Sequence, residues 1–377
     1  LDACILNQSV LITGAAGSIG AELCRQIIAV RPSKIIILDA FEYGLYELEN
    51  ELLSMIKLLG DDVEIQLVAC LGSVCNAAFL DSVIKRYDVE TIYHVAAYKQ
   101  VPMVEKNIVE GARNNVFGTL VSAQAAERYA VKNFVFISTD KAVRPTNFMG
   151  ATKRLSELVL QALSKDSTKT RFSMVRFGNV LDSSGSVVPL FRQQINAGGP
   201  ITVTHPEVTR YFMTVQEAAQ LVIQAGSMAQ GGDVFVLDMS EPIRIVDLAR
   251  KMVHLMGFAV RDETEYNGDV SIEYIGLRAG EKLHEELLVS ESVTGTEHPK
   301  IMRAQEEALD WSVLKPYLDR LESACQRIDL NEIKEILLAT IDGFDPESCV
   351  QERRFTQEFL SKPSQGDSKV TSLFKKN

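Results

Sequence analysis

Paired cysteines, long apolar runs and an excess of positive charge are all missing from this 377-residue chain. Its six cysteines, at 4, 24, 70, 75, 325 and 349, include no C-x-x-C pair. That argues against a disulfide framework or a zinc site and favours reduced thiols in a cytosolic setting. No apolar stretch reaches the roughly 18 residues that a membrane-spanning helix needs, and no signal-peptide pattern opens the chain. No metal is expected, and His94 and His205 read as structural because nothing near them completes a ligand set. With 39 basic against 50 acidic residues, a formal net charge of −11 argues against a general nucleic-acid-binding surface but does not exclude a local basic pocket. There is no internal repeat or low-complexity domain.

What is present is a regular alternation. SVLIT, KIIILDA, VEIQLVACLG, ETIYHVAA, NFVFIST and RFSMVRFGNVL are short apolar runs separated by amphipathic helical stretches. Continuous apolar strands alternating with helices predict an α/β fold, a doubly wound parallel sheet covered on both faces. After SSGSVVPLF the alternation loosens into short strands and helices, among them EKLHEELL read as a helix, which predicts a smaller C-terminal α/β substrate lobe. Asp329 and Glu332 predict a helix cap. The expected division is 1–180 for the nucleotide-binding domain, with later segments returning to it, 181–345 for the lobe and C-terminal helices, and 346–377 for a polar, aperiodic tail.

TGAAGSIG places Gly14, Gly17 and Gly20 between a strand and a helix. Such glycines let backbone approach a pyrophosphate, and the helix start, with Ser18 and Ile19, turns its N–H groups toward that anion. Asp39 ends the next strand about 20 residues on, where a carboxylate binds a ribose 2′-hydroxyl and repels a 2′-phosphate, favouring NAD over NADP.

The Gly-x-x-Gly-x-x-Gly spacing resembles the extended short-chain dehydrogenase/reductase family, of Rossmann type. LGSV (Leu71, Gly72, Ser73) is similar to its adenine-contacting turn, and HVAAYKQV (Ala96, Ala97, Lys99) to its nicotinamide loop. STDKAVRPTNFMGATK raises a question, because the family's Tyr-x-x-x-Lys appears here as Met149 with Lys153. Together with NNVFGT, RFGNVL, SSGSVVPLF, TRYFMT and GEKLHEEL, these segments resemble the large bacterial UDP-N-acetylglucosamine 4,6-dehydratases of polysaccharide and glycan biosynthesis, in which methionine replaces that tyrosine. The resemblance covers about residues 8 to 330. Gln100, where relatives often carry histidine, and Asn76, in place of an acid, depart from the pattern.

The resemblance implies NAD as cofactor, a UDP-sugar as substrate and loss of water as the net reaction. Asp140 becomes the acid for the C6 hydroxyl, Lys141 the base at C5, Thr139 a relay for the C4 hydroxyl proton, and Lys153 the holder of the nicotinamide ribose. An ordinary lysine, near 10.4, is too basic for this work, so burial, NAD⁺ and Lys153 are expected to depress Lys141 against the opposing pull of Asp140. Asn179, Ser184, Val187 and Val188 would meet the nucleotide diphosphate, with Arg210 and Arg278 on its phosphates and Glu281 on the uridine ribose. Met103, Phe148 and Phe212 read equally as core or as sugar-pocket wall. A UDP-hexose 4-epimerase and a catalytically silent NAD-binding scaffold are the competing readings. A homo-oligomer is expected, with no membrane contact from this segment itself. The absent initiator methionine together with the resemblance suggests a cytoplasmic domain cut from an inner-membrane protein.

Overall fold

The computed structural model describes residues 2–60, 63–262, 266–278, 280–286, 293–306 and 308–346. Most of the tail expected at 346–377 therefore lies outside the described residues. Within them a nine-stranded sheet forms the centre of the molecule. Its first six strands in chain order are β1 (Ser9–Thr13), β2 (Lys34–Asp39), β3 (Gln66–Leu71), β4 (Thr91–His94), β5 (Asn133–Ile137) and β6 (Arg171–Arg176). They lie side by side as β3-β2-β1-β4-β5-β6, all parallel. Asp233–Leu237 pairs parallel with β6, and Ile301–Ala304 and Val293–Gly295 then add antiparallel strands. The α/β class and doubly wound order follow from the alternation in the sequence, because strands buried on both faces must be apolar throughout.

Successive residues of each strand serve opposite faces. Leu11, Phe134, Phe136 and Phe172 pack under the helix Phe148–Asp166, while Val10, Ile12, Val135 and Phe235 pack under the helices Ser18–Ala29 and Val215–Ser227. The C-terminal helices Trp311–Arg327 and Leu330–Thr340 cover the first face through Leu314, Leu318 and Leu337. The Asp329 carboxylate accepts the Glu332 amide at 3.0 Å, the expected cap. A separate cluster holds the smaller lobe together: Phe191 and Ile195 of the helix Val187–Asn196 meet Ala249 and Val253 of Ile245–Leu255 over the short parallel strands Ile201–Val203 and Val270–Tyr274.

EKLHEELL is not the expected helix. Glu281–Glu286 runs as irregular chain, and Leu287 and Leu288 lie outside the described residues. The segment bonds outward instead: Thr209 N–H donates to the Leu283 carbonyl at 3.1 Å and Lys282 Nζ to the Val143 carbonyl at 3.0 Å. Partners on the facing chain have replaced the i to i+4 ladder.

Beneath the carboxyl ends of β5 and β6 lies a buried charge network. Glu157 accepts from Arg176 Nε (2.7 Å), Arg176 Nη2 (2.6 Å), Arg154 Nη1 (3.0 Å) and Ser138 Oγ (2.6 Å), and Glu306 takes the other side of both arginines. Burial alone would raise Glu157, but Arg176, Arg154 and the Ser138 hydroxyl outweigh it and bring the carboxyl down to about 2. Replacing Glu157 by leucine takes one of two carboxylates from the buried Arg176 and Arg154 and leaves Glu306 alone to balance both, which costs up to about 3–5 kcal/mol. The Glu157→Leu variant should therefore unfold at clearly lower urea concentration than the parent.

Candidate active site

The order of the parallel strands reverses at β1, because the chain crosses from β3 to the far side of β1 to form β4. Ligands of open α/β sheets lie outside the carboxyl ends at such a switch point. A cleft of about 810 Å³ opens there. Gly14 sits at φ +66°, and a Cβ on it would stand 2.6 Å from Ala96 N, so β1 and β4 exit in a contact only glycine permits. The helix Ser18–Ala29 starts at Gly17 without a side-chain cap, leaving its first-turn amides and dipole end facing the cleft. Asp39 accepts from Ala16 N and Phe41 N, both at 2.9 Å, which fixes its carboxylate beside the glycine turn. These features fit a dinucleotide.

Gly14, Gly17, Ser18, Ile19, Asp39, Gly72, Ser73, Ala96, Ala97, Lys99 and Lys153 all line the cleft. Gly20 and Leu71 do not. Gly20 packs against the Gly14 carbonyl inside the turn, and Leu71 is exposed beyond the rim. Asn76 caps the next helix by accepting from Phe79 N at 3.1 Å, which accounts for that residue without a ligand.

One brace escaped sequence reasoning. The chain over Ala112–Phe117 forms a π-helical turn, a feature often found at functional sites. Its Asn115 amide accepts from Tyr98 N (2.8 Å) and donates to Tyr98 O (3.0 Å) in the loop after β4, and donates to Thr152 Oγ1 (3.0 Å) of the helix Phe148–Asp166. The signal was the asparagine pair in NNVFGT.

At the end of β5, Thr139 Oγ1 donates to Asp140 Oδ1 at 2.8 Å, and Lys141 Nζ donates to the same oxygen at 3.0 Å. Lys141 Nζ also donates to Asn179 Oδ1 at 3.2 Å. Thr139, Lys141, Met149 and Asn179 line the cleft; Asp140 does not, being 1% exposed behind them. A Cβ on Gly150 would stand 2.1 Å from the Lys141 carbonyl, so this glycine lets the helix Phe148–Asp166 settle directly on the turn. Phe148 proves to be core, Met103 is exposed, and Phe212 lines the cleft.

The two lysines behave oppositely. Burial dominates at Lys153 and pushes it down to about 7, against the pull of Glu157. Its ammonium donates to the Ile137 carbonyl at 2.6 Å and sits 3.8 Å from the Phe136 ring centroid. Burial also pulls Lys141 down, but Asp140 and Glu285 together outweigh it, and the net direction is upward. The depressed Lys141 expected from the sequence is therefore corrected. Beside Asp140 stands a second carboxylate, Glu285 Oε1 at 3.7 Å, in the segment read from the sequence as a helix. His94 is structural: burial pushes it to about 3 and both ring nitrogens meet threonine hydroxyls.

On the lobe side, Ser184, Val187, Arg210, Arg278 and Glu281 line the cleft, whereas Val188 packs into the lobe core. Ser184 N donates to Ser18 Oγ at 3.1 Å, so the lobe loop meets the start of the first helix. Arg210 is already held by Glu281 Oε1 at 2.9 Å and by the Thr209 and Leu283 carbonyls at 2.7 and 3.3 Å. Glu281 in turn accepts from Thr204 Oγ1 and from Arg278 N.

Comparison with known proteins agrees with this architecture. The model of a family described as "Polysaccharide biosynthesis protein" matches residues 10–306. The chain belongs to that family. It is 50% identical over 284 residues, 75% of its length, to the capsular polysaccharide biosynthesis protein CapD of Staphylococcus aureus. It spans only about half the length of such polysaccharide-biosynthesis relatives, 45% and 51% for two of them. A UDP-glucose 4-epimerase of Rickettsia bellii is 30% identical over 88% of this chain and 96% of that one. Among solved structures, the dTDP-glucose 4,6-dehydratase DesIV of Streptomyces venezuelae, with NAD and TYD bound, superposes with a TM-score of 0.61 at 21% identity. That match covers 74% of this chain and 88% of DesIV, and it shows the shared fold. The chain is thus an extended short-chain dehydrogenase/reductase of polysaccharide biosynthesis.

In this family member Lys153 carries a pH signature of its own. The folded state holds it near 7 and the unfolded chain near 10.4, so between those values the unfolded state binds the extra proton and stability rises with pH. Lys153→Met removes the penalised charge. The difference in unfolding free energy between variant and parent, both free of cofactor, should favour the variant by up to a few kcal/mol more at pH 6 than at pH 10. A difference that stays constant across this range would contradict the assignment.

Proposed function

We propose that this chain is an NAD-dependent 4,6-dehydratase of UDP-N-acetylglucosamine, yielding UDP-2-acetamido-2,6-dideoxy-hexos-4-ulose. A nucleotide-sugar-modifying enzyme is what the family and the epimerase and dehydratase relatives support. The cofactor is NAD, held by the glycine turn, Asp39 and Lys153; when bound it serves as a reversible hydride acceptor for the sugar.

Oxidation at C4 acidifies the C5 proton. Lys141 takes that proton as the neutral amine, after its own proton has passed to a flanking carboxyl, and that carboxyl delivers a proton to the departing C6 hydroxyl. The observation that carries the reading is the strand end itself, where Lys141 lies between two carboxyls, Asp140 at 3.0 Å and Glu285 at 3.7 Å, and Met149 occupies the tyrosine position. Elimination needs an acid and a base on adjacent carbons. Epimerisation, the second reading, is favoured by the 30% identity to an epimerase but acts at C4 alone and gives this pair no work. Thr139, which lines the cleft, is the residue proposed to pass on the C4 hydroxyl proton.

None of the described helices is long and apolar enough to cross a membrane. That the chain is the cytoplasmic part of a longer membrane protein remains the proposal drawn from its family likeness.

Incubation with UDP-N-acetylglucosamine should give a product lighter by one water, with solvent deuterium at C5 and none at C6. A product of unchanged mass would favour the epimerase. Lys141→Met should lose on the order of 10²-fold or more in turnover, as expected for one positioned proton-transfer group. Met149→Leu, an apolar swap of similar volume, should keep most activity. Cofactor absorbance of the purified variants should stay at the parental level, since neither change touches the glycine turn or Lys153.

A further inference from the structure

The helix that follows β2, Glu42–Leu58, breaks two local rules at its start. Its N-cap is Phe41, with no side-chain cap bond, at a position where serine, threonine, asparagine or aspartate would stabilise the helix. Inside the first turn stands Gly44, which weakens a helix relative to alanine. The phenyl ring accounts for both. A Cβ at position 44 would stand 2.5 Å from Phe41 Cδ1 and 2.7 Å from Cε1, so the glycine is the seat of the ring. Phe41 is nevertheless not core: it is 58% exposed and lines the cleft. Local rules are broken in this way chiefly at functional sites.

The ring's neighbours identify its task. Phe41 N donates to Asp39 Oδ1 at 2.9 Å, which ties the ring to the carboxylate that suits the cofactor's ribose. β2 and β3 run side by side with Asp39 opposite Leu71. The chain leaves them as Ala40–Phe41 and as Gly72–Ser73–Val74, and all of these residues line the cleft. The base of an adenosine whose ribose meets Asp39 must enter between these two exits.

A side chain that reads the edge of that base is missing. The turn Leu71–Asn76, similar to the adenine-contacting turn of the family, holds no acid. Ser73 Oγ accepts from Cys75 N at 3.2 Å and Asn76 Oδ1 accepts from Phe79 N at 3.1 Å, so both side-chain acceptors are turned to their own backbone.

We propose that Phe41 holds the adenine of NAD by the face of its ring, in place of a side chain that reads the base edge. Every base has a π face, so stacking on an aromatic ring tolerates a change of base. The site therefore selects its dinucleotide at the ribose, through Asp39, and accepts another purine beside it. This assignment rests on NAD as cofactor and not on the dehydratase reading.

The test is calorimetric titration of the cofactor-stripped protein with NAD and with nicotinamide hypoxanthine dinucleotide, beside the urea unfolding midpoint of each variant without cofactor. The parent should bind the two dinucleotides within a few-fold of each other. Phe41→Ser supplies a favourable helix cap, so its midpoint should equal or exceed the parent's. Both dinucleotides should nevertheless bind to it on the order of 10-fold more weakly. Phe41→Leu, apolar but without a ring, should show the same loss of affinity, and Phe41→Trp should bind as the parent does.

Three results overturn the assignment. They are Phe41→Ser binding NAD as tightly as the parent, Phe41→Ser losing affinity only together with its unfolding midpoint, and a parent that rejects the hypoxanthine dinucleotide by more than about 10-fold. A parent with no affinity for NAD overturns the cofactor, and this assignment with it. A parent that binds both dinucleotides as expected but removes no water from UDP-N-acetylglucosamine overturns the dehydratase reading alone and supports the role of Phe41.

Discussion

The contact between the helix Phe148–Asp166 and the Lys141 carbonyl at Gly150 determines the rest of the site. With no Cβ at 150 the helix rests its first turn directly on the strand end, where a methyl group would stand 2.1 Å from a backbone oxygen. Neither partner can yield easily, since one is a helix buried under two others and the other is a turn at the end of a buried strand. From that seating come the place of Met149 at the cleft wall, the reach of Lys153 to the Ile137 carbonyl, and the line of Glu157 beneath Ser138. One helix thus supplies a cleft wall, a buried amine and the anchor of the charge network, at i, i+4 and i+8 on one face.

Charge is arranged along the cleft in opposite senses. Lys153 is buried against an aromatic ring and a carbonyl, and desolvation wins. Lys141 is also buried, yet two carboxyls flank it and their fields win. The alternation continues through Glu285 and Arg210 to Glu281. Glu281 and two carbonyls hold Arg210 in one orientation, so it is not a loose surface charge.

Much of this was legible in the chain because it rests on local physics. The glycine turn after a short apolar strand implies a backbone crossing whatever the rest of the fold does, and Gly14 proved to be pressed against Ala96. The acid ending KIIILD sits beside that turn as its spacing requires. Thr139, Lys141 and Met149 reached the cleft because a strand end and the next helix start are near neighbours in sequence. GEKLHEEL was misjudged for the complementary reason. Its apolar and charged residues fit a helical period, but the bonds that decide its shape come from Thr209, Val143 and Arg210, far away in sequence.

The sequence alone therefore settled what depends on neighbours along the chain: the parallel α/β order, the glycine turn, the cap at Asp329 and the set of residues at the end of β5. Only the tertiary structure decided which carboxyl faces the cleft, which lysine keeps its proton and which arginine is already paired. Those outcomes depend on distances of a few ångströms between segments more than a hundred residues apart in some cases, such as Lys141 and Glu285. Coulomb and desolvation energies vary steeply over such distances in a low-dielectric interior, and no local pattern of residues encodes them.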